Sequence, residues 1–110
     1  MANTFKLKTK ANVGVTTVGI YTATSPVTAA VVIGITLSNV SGGGINVGVG
    51  ITRTSADNIN VLKNVPIPQG SSLEFMQGNK IVLEATDTLT VKSDVINSLD
   101  VALTIMEITP

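Results

Sequence analysis

Two runs separated by four residues carry the clearest hydrophobic pattern in the chain. Val31-Val32-Ile33-Gly34-Ile35-Thr36-Leu37-Ser38-Asn39-Val40 is followed, after Ser41-Gly42-Gly43-Gly44, by Ile45-Asn46-Val47-Gly48-Val49-Gly50-Ile51-Thr52. In the second run the odd positions are aliphatic and the even ones are Asn, Gly, Gly and Thr, so one face of a strand is buried and the other has little side-chain bulk. The short glycine-rich connection predicts a β-hairpin whose turn uses positive φ at the triple glycine. Gly34, Gly48 and Gly50 are costly in strands unless the sheet bends or another surface approaches closely.

The same period of two recurs along the chain. Thr4-Phe5-Lys6-Leu7-Lys8-Thr9-Lys10 alternates, with Phe5 and Leu7 on one face and the lysines on the other, the pattern of an exposed edge strand. Val13 to Thr22 reads as a second strand, with Gly14 and Gly19 as bends or bulges, and Ser25-Pro26 ends it. Ser55-Ala56-Asp57-Asn58 is a turn before Ile59-Asn60-Val61-Leu62-Lys63, and Pro66-Ile67-Pro68-Gln69-Gly70 reads as a connector crossing between sheets. Short strands follow near Ser72 to Met76, Lys80 to Glu84 and Leu89 to Lys92, punctuated by Gln77-Gly78-Asn79 and Ala85-Thr86-Asp87. Asp94 to Asn97 is a turn or a brief helical piece, and Leu99 to Ile108 alternates again. About eight to ten short strands without an amphipathic helix predict an all-β fold, a single antiparallel β-sandwich that could be wound as a jelly roll, spanning residues 1–110 as one domain.

Composition narrows the chemistry. The aromatics are Phe5, Phe75 and Tyr21, so the core is built of Val, Ile and Leu. With no cysteine and no histidine, disulfides, thiolate nucleophiles and the commonest metal ligand and general base are excluded. The glycines from 42 to 50 lack the Gly-Lys-Ser/Thr ending of a phosphate loop and lead into a strand instead of a helix. The carboxylates are scattered, and no Gly-x-Ser-x-Gly or Ser-x-x-Lys spacing occurs. The sequence therefore predicts no enzyme, no cofactor and no metal site.

No charged-then-apolar leader opens the sequence, and Ala29 to Leu37 is shorter than a membrane span, so a soluble product of the cytoplasm is expected, without a membrane partner. Lysines without interleaved aromatics or arginine do not make a nucleic-acid surface. Through Lys63 the chain has five basic residues (Lys6, Lys8, Lys10, Arg53, Lys63) against Asp57, and from Asn64 onward Lys80 and Lys92 stand against six acids. Such an asymmetry steers copies together unless the fold intermixes the charges.

The order of these features resembles small virion structural proteins of tailed bacteriophages, especially phages of marine bacteria. The resemblance spans most of the chain and rests on Ala2-Asn3-Thr4-Phe5-Lys6-Leu7-Lys8-Thr9, the run Ala30 to Val40, Pro66-Ile67-Pro68-Gln69-Gly70-Ser71-Ser72-Leu73-Glu74-Phe75, and Lys92-Ser93-Asp94. Where that family often has a Pro-Ala-Gly-type turn before the apolar run, this chain has Ser25-Pro26-Val27-Thr28. The resemblance implies a non-enzymatic virion component in many copies, made in the host cytoplasm. It would be a capsid decoration or cement protein, or alternatively a tail, adaptor or fibre component, partnered by other virion proteins and by itself. A receptor- or glycan-binding module is the other class, which the shortage of aromatics and arginine disfavours.

Two surfaces are candidates for such contacts. One is the strand of residues 1–10 as an edge or assembly arm, with Phe5, Lys6, Lys8 and Lys10. The other is the bare face of the Gly-rich run, with Asn46, Gly48 and Gly50. On these readings, removal of residues 1–10 impairs docking before folding, and lysines at 48 and 50 together leave a folded monomer that does not assemble.

Overall fold

The computed structural model describes residues 2–54, 56–75 and 80–110, and the readings placed on Ser55 and on Met76 to Asn79 lie outside them. The described residues form nine strands: β1 (Ala2–Val13), β2 (Val18–Thr22), β3 (Ala29–Asn39), β4 (Ile45–Thr52), β5 (Ile59–Ile67), β6 (Ser72–Phe75), β7 (Ile81–Glu84), β8 (Thr88–Ser93) and β9 (Leu99–Thr109). They make two antiparallel sheets. Sheet I runs β1-β9-β3, with β6 and β7 lying end to end along the far side of β3, and sheet II runs β2-β8-β4-β5. Counting β6 and β7 as one interrupted strand gives eight strands with the first and last paired, which is the jelly-roll winding.

The run from Val31 and the run from Ile45 are not a hairpin. β3 pairs with β9, β6 and β7 in sheet I, whereas β4 pairs with β5 and β8 in sheet II, so residues 40–44 cross from one sheet to the other. Each run has one fully apolar face, and crossing lets Val32, Ile35 and Leu37 bury against the layer of Ile45, Val47, Val49 and Ile51 instead of standing beside it. The crossing is fixed by Asn39, which is buried. Its amide donates to the carbonyls of Gly43 (2.8 Å) and Ile67 (2.9 Å), and its Oδ1 accepts from the Ser41 backbone N–H (2.9 Å) and the Ser41 hydroxyl (2.8 Å). None of the three glycines takes positive φ, because the asparagine side chain, and not left-handed backbone, turns the chain.

Two further boundaries differ from the sequence reading. The stretch expected as one strand from Val13 to Thr22 is divided: β1 ends at Val13 and β2 begins at Val18. The Pro66 segment is the end of β5 and not a connector, with Asn46 opposite Pro66 and Ile45 opposite Ile67. An edge strand tolerates proline because only one side of it is paired. The crossing to sheet I follows Ile67. Residues 94–97, beside Asn46 at this same end, form bends and turns without helix, and at the other end of the sandwich the chain turns at Ser25-Pro26, a cis peptide.

Among the described residues the core between the sheets is aliphatic, with Leu37, Ile67, Leu83, Leu89, Leu99, Leu103 and Ile105 the largest fully buried side chains and Tyr21 a buried aromatic. Among the described residues no buried side-chain polar atom lacks a hydrogen-bond partner.

Replacing Asn39 by Ala leaves the Ile67 carbonyl, which meets the amide at a buried position, without that donor, while the exposed Gly43 carbonyl keeps the Ser41 hydroxyl (2.9 Å), and is expected to destabilise the fold by about 1–3 kcal/mol, read as a lower urea midpoint with unchanged slope. An unchanged midpoint would mean that the crossing holds without its side-chain tie.

Candidate interaction surfaces

The first candidate surface is edge strand β1. It pairs with β9 alone, from Ala2 opposite Thr109 to Val13 opposite Leu99, with a bulge between Lys10 and Val13. The alternation expected from sequence is present, but its sides are reversed relative to a core strand. Lys6, Lys8 and Lys10 stand opposite the core residues Ile105, Leu103 and Val101, so the lysines share the inward face, while Phe5 and Leu7 point outward, 70% and 65% exposed. Inward-pointing charge protects an edge from unwanted pairing, since a strand added along β1 would cut the ammonium groups off from the water they reach around that edge. Val13 is buried, whereas from Asn3 to Asn12 the strand is held by its ladder, by an ion pair and by a hydrogen bond from the Asn12 backbone N–H to Asp100 Oδ1 (3.0 Å).

That ion pair is part of a tie between the sheets. Glu107 of β9 occupies a core-facing position and is 8% exposed. Its Oε1 meets the Lys6 ammonium at 2.9 Å and its Oε2 accepts from the Tyr21 hydroxyl at 2.7 Å, joining β1 and β9 of sheet I to β2 of sheet II. The Tyr21 hydrogen bond and then the Lys6 ammonium hold the Glu107 carboxyl below the usual carboxylate range, against a smaller opposing effect of burial. Burial, and next its bond to the Glu107 carboxylate, push the Tyr21 phenol well above its ordinary range.

A second tie closes the opposite side of the same end. Arg53, just after β4, donates from Nε to both oxygens of buried Asp87 (3.2 and 3.1 Å) and pairs through Nη2 with Glu84. Asp87 Oδ2 also accepts from the Glu84 backbone N–H (2.9 Å), and the hydroxyls of Thr54 and Thr86 meet beside it. The two ties pair cations from the first part of the sequence with acids from the second. Within the fold the charge asymmetry is thus partly satisfied internally.

The second candidate surface is the outward face of sheet II. Asn46, Gly48 and Gly50 line a shallow concavity of about 400 Å³ with Val15, Leu62, Lys63 and Lys92. Two bulges in β5, opposite Val47 to Gly50 of β4, shape it. Asn46 is engaged with Asp94, its backbone N–H donating at 2.9 Å and its Nδ2 at 3.2 Å. The two glycines differ. A Cβ at Gly50 would lie 3.0 Å from the Ile59 carbonyl oxygen and 3.3 Å from Thr90 Oγ1, whereas at Gly48 the closest atoms are 3.5 and 3.6 Å away. Gly50 is therefore required by the close approach of β5 within the subunit, and lysine at both positions cannot be expected to leave the fold intact. Gly34 has no neighbour within that reach and bends the sheet beside the bulge after Val32.

The lysine arm and the Gly48 face lie on different sheets, so the sequence candidates form two surfaces and not one site. Among the described residues no three acidic, histidine or cysteine side chains gather as a metal site, and no helix is long and apolar enough to cross a membrane. The sequence reading missed Tyr21, Glu107, Arg53 and Asp87 as the polar fastenings. Glu107 carried a signal, since it falls in the apolar phase of the last strand. Asp87 sits in a turn, where periodicity says nothing.

No family model and no curated protein sequence matches the chain. Solved structures do. A chain of the acid-stable capsid of Helicobacter pylori bacteriophage KHP30 superposes over 98% of this chain and 89% of its own, at 9% identity and a TM-score of 0.60. A chain from Bacillus endospore appendages, a family of disulfide-linked pili, superposes over 99% of this chain and 88% of its own, at 15% identity and a TM-score of 0.59. These are likenesses of fold, and the fold is the all-β, antiparallel two-sheet architecture that the strand pattern predicted.

Two measurements check this description. Because the folded-state pKa of Glu107 is lowered, its contribution to stability is full above the unfolded value of about 4.3 and is lost as the pH falls through the folded value. Tyr21→Phe should cost about 1.5–3 kcal/mol at neutral pH and less in acid, so that the two stability–pH curves converge as the pH falls; parallel curves would contradict the tie. Gly50→Ala should destabilise by about 1–3 kcal/mol while Gly48→Ala stays within about 0.5 kcal/mol of the parent. Equal effects at the two positions in urea unfolding would contradict the assigned close approach.

Proposed function

We propose that this chain is a non-enzymatic structural subunit of a bacteriophage particle, present in many copies and acting through protein–protein contacts, most specifically as a capsid decoration or cement protein. The observation that carries the reading is the apolar row across the outward face of sheet I, where Phe5, Met106, Val31 and Val82 stand directly opposite one another on β1, β9, β3 and β7. Phe5, Leu7 and Val82 are more than half exposed there. A contiguous apolar face on a fold whose own core is complete is what a subunit offers to its neighbours. The fold likeness to a phage capsid chain supports the particle setting.

The likeness to a pilus chain supports a second structural reading, a fibre or tail-associated component. Disulfide linkage cannot carry over to it, because this sequence has no cysteine. On either reading the partners are other virion proteins and further copies of the chain, and the protein resides in the virion after synthesis in the host cytoplasm. A glycan-binding module remains the weaker reading, since the described concavity has no aromatic platform.

Immunogold electron microscopy of purified particles, with antibody to the recombinant protein, is expected to label heads at regular spacing. Label confined to tails would replace decoration by the tail or fibre reading. Absence of the chain from disrupted particles by mass spectrometry would overturn the virion role.

A further inference from the structure

The two outward faces of the sandwich are complementary to each other and not to themselves. On the described strands of sheet I, the charged residues in outward register are Glu74, Glu84 and Asp100, all acidic, around the apolar row and Leu7; Arg53 pairs with Glu84, and Asp100 Oδ1 accepts from the Asn12 backbone N–H (3.0 Å), so Glu74 and Asp100 carry the negative charge that no cation offsets on this face. The lysines of β1 are in the inward register. On sheet II the concavity over Gly48 is flanked by the cations Lys63 and Lys92, with Leu62 and Val15 as apolar wall, and its acid, Asp94, is bound by Asn46. One face is therefore apolar and acidic, and the other is concave and basic.

We propose that the outward face of sheet I of one copy packs on the outward face of sheet II of a second copy, with Phe5 and Leu7 seated over Gly48 and the acids of the first copy facing Lys63 and Lys92 of the second. Charge decides the occupant. A two-fold contact of sheet I on itself brings acid against acid, and sheet II on itself brings lysine against lysine; like-charge contacts oppose association. The contact is consequently head-to-tail, and since both faces exist on every copy it repeats, closing into a ring or continuing as a stack. A durable pairwise interface buries about 800 Å² on each partner, more than these few side chains supply, so each contact is weak alone and is strengthened by repetition on a particle. The biological setting rests on the many-copy reading above, but the contact is a property of the purified chain.

The absence of cysteine allows a direct test. A Leu7→Cys copy is mixed with a Gly48→Cys copy and treated with a short bismaleimide. Both sites tolerate the change, Leu7 being exposed and a Cβ at Gly48 meeting only ordinary contacts. Mixed dimers are expected in excess over either homodimer, and Phe5→Ser in the Leu7→Cys copy is expected to lower their yield about tenfold. Homodimers of Leu7→Cys alone, or mixed dimers no more abundant than with Thr22→Cys as the second partner, would overturn the proposal. Should Gly48→Cys unfold by circular dichroism, Asn60→Cys on the same concavity takes its place under the same criteria. Labelled heads without cross-linking would remove this contact and leave the virion role, whereas cross-linking by a chain absent from particles would do the reverse.

Discussion

Everything in this fold follows from the need to bury apolar strand faces against each other with aliphatic side chains. A strand of Val, Ile and Leu in alternation has one face that must leave water, at about 1.5–3 kcal/mol per side chain. A single sheet cannot do that, because all such faces would lie on one exposed side. Two sheets can, if successive strands change sheet. β1, β2, β3 and β4 do so in turn, as do β7, β8 and β9, and the β4–β5 hairpin alone joins sequence neighbours side by side. The jelly roll is the outcome of that alternation of sheets, with Asn39 holding the crossing from β3 to β4.

How far this was legible varies with the kind of signal. The strands were readable because burial on one face imposes a period of two, and Leu99 to Ile108 or Ile45 to Thr52 could hardly be anything else. Pairing was not readable. A four-residue glycine-rich link suits a hairpin and a crossing equally well by composition, and what separates them is where the Asn39 amide finds its acceptors, one of which, Ile67, is distant in sequence. Pro66 misled for a related reason: it forbids a central strand, yet β5 is an edge. At the surfaces, the lysine and aromatic alternation of β1 was plain, but which face turned inward depended on register with β9. The difference between Gly48 and Gly50 depended on bulges that no local pattern announces.

The polar fastenings show how a small sandwich without disulfides keeps its ends together. The Glu107 tie fastens edge strand β1 to both sheets, while the Arg53 cluster joins the loops after β4 and β7. The Glu107 tie lies inside the sandwich, and the Arg53 cluster reaches the outward face of sheet I only at Glu84. A subunit built this way has a sealed interior and two free faces of different character, and it is those faces, not a pocket with reactive groups, that the account makes responsible for function.

The most direct measurement of that claim is a symmetry-averaged cryo-electron microscopy reconstruction of purified particles. The account predicts density for this jelly roll at symmetry-related positions, with Phe5 and Leu7 covered by protein. Particles whose ordered density is fully explained by other chains, or in which this chain sits with both outward faces bare, would contradict it.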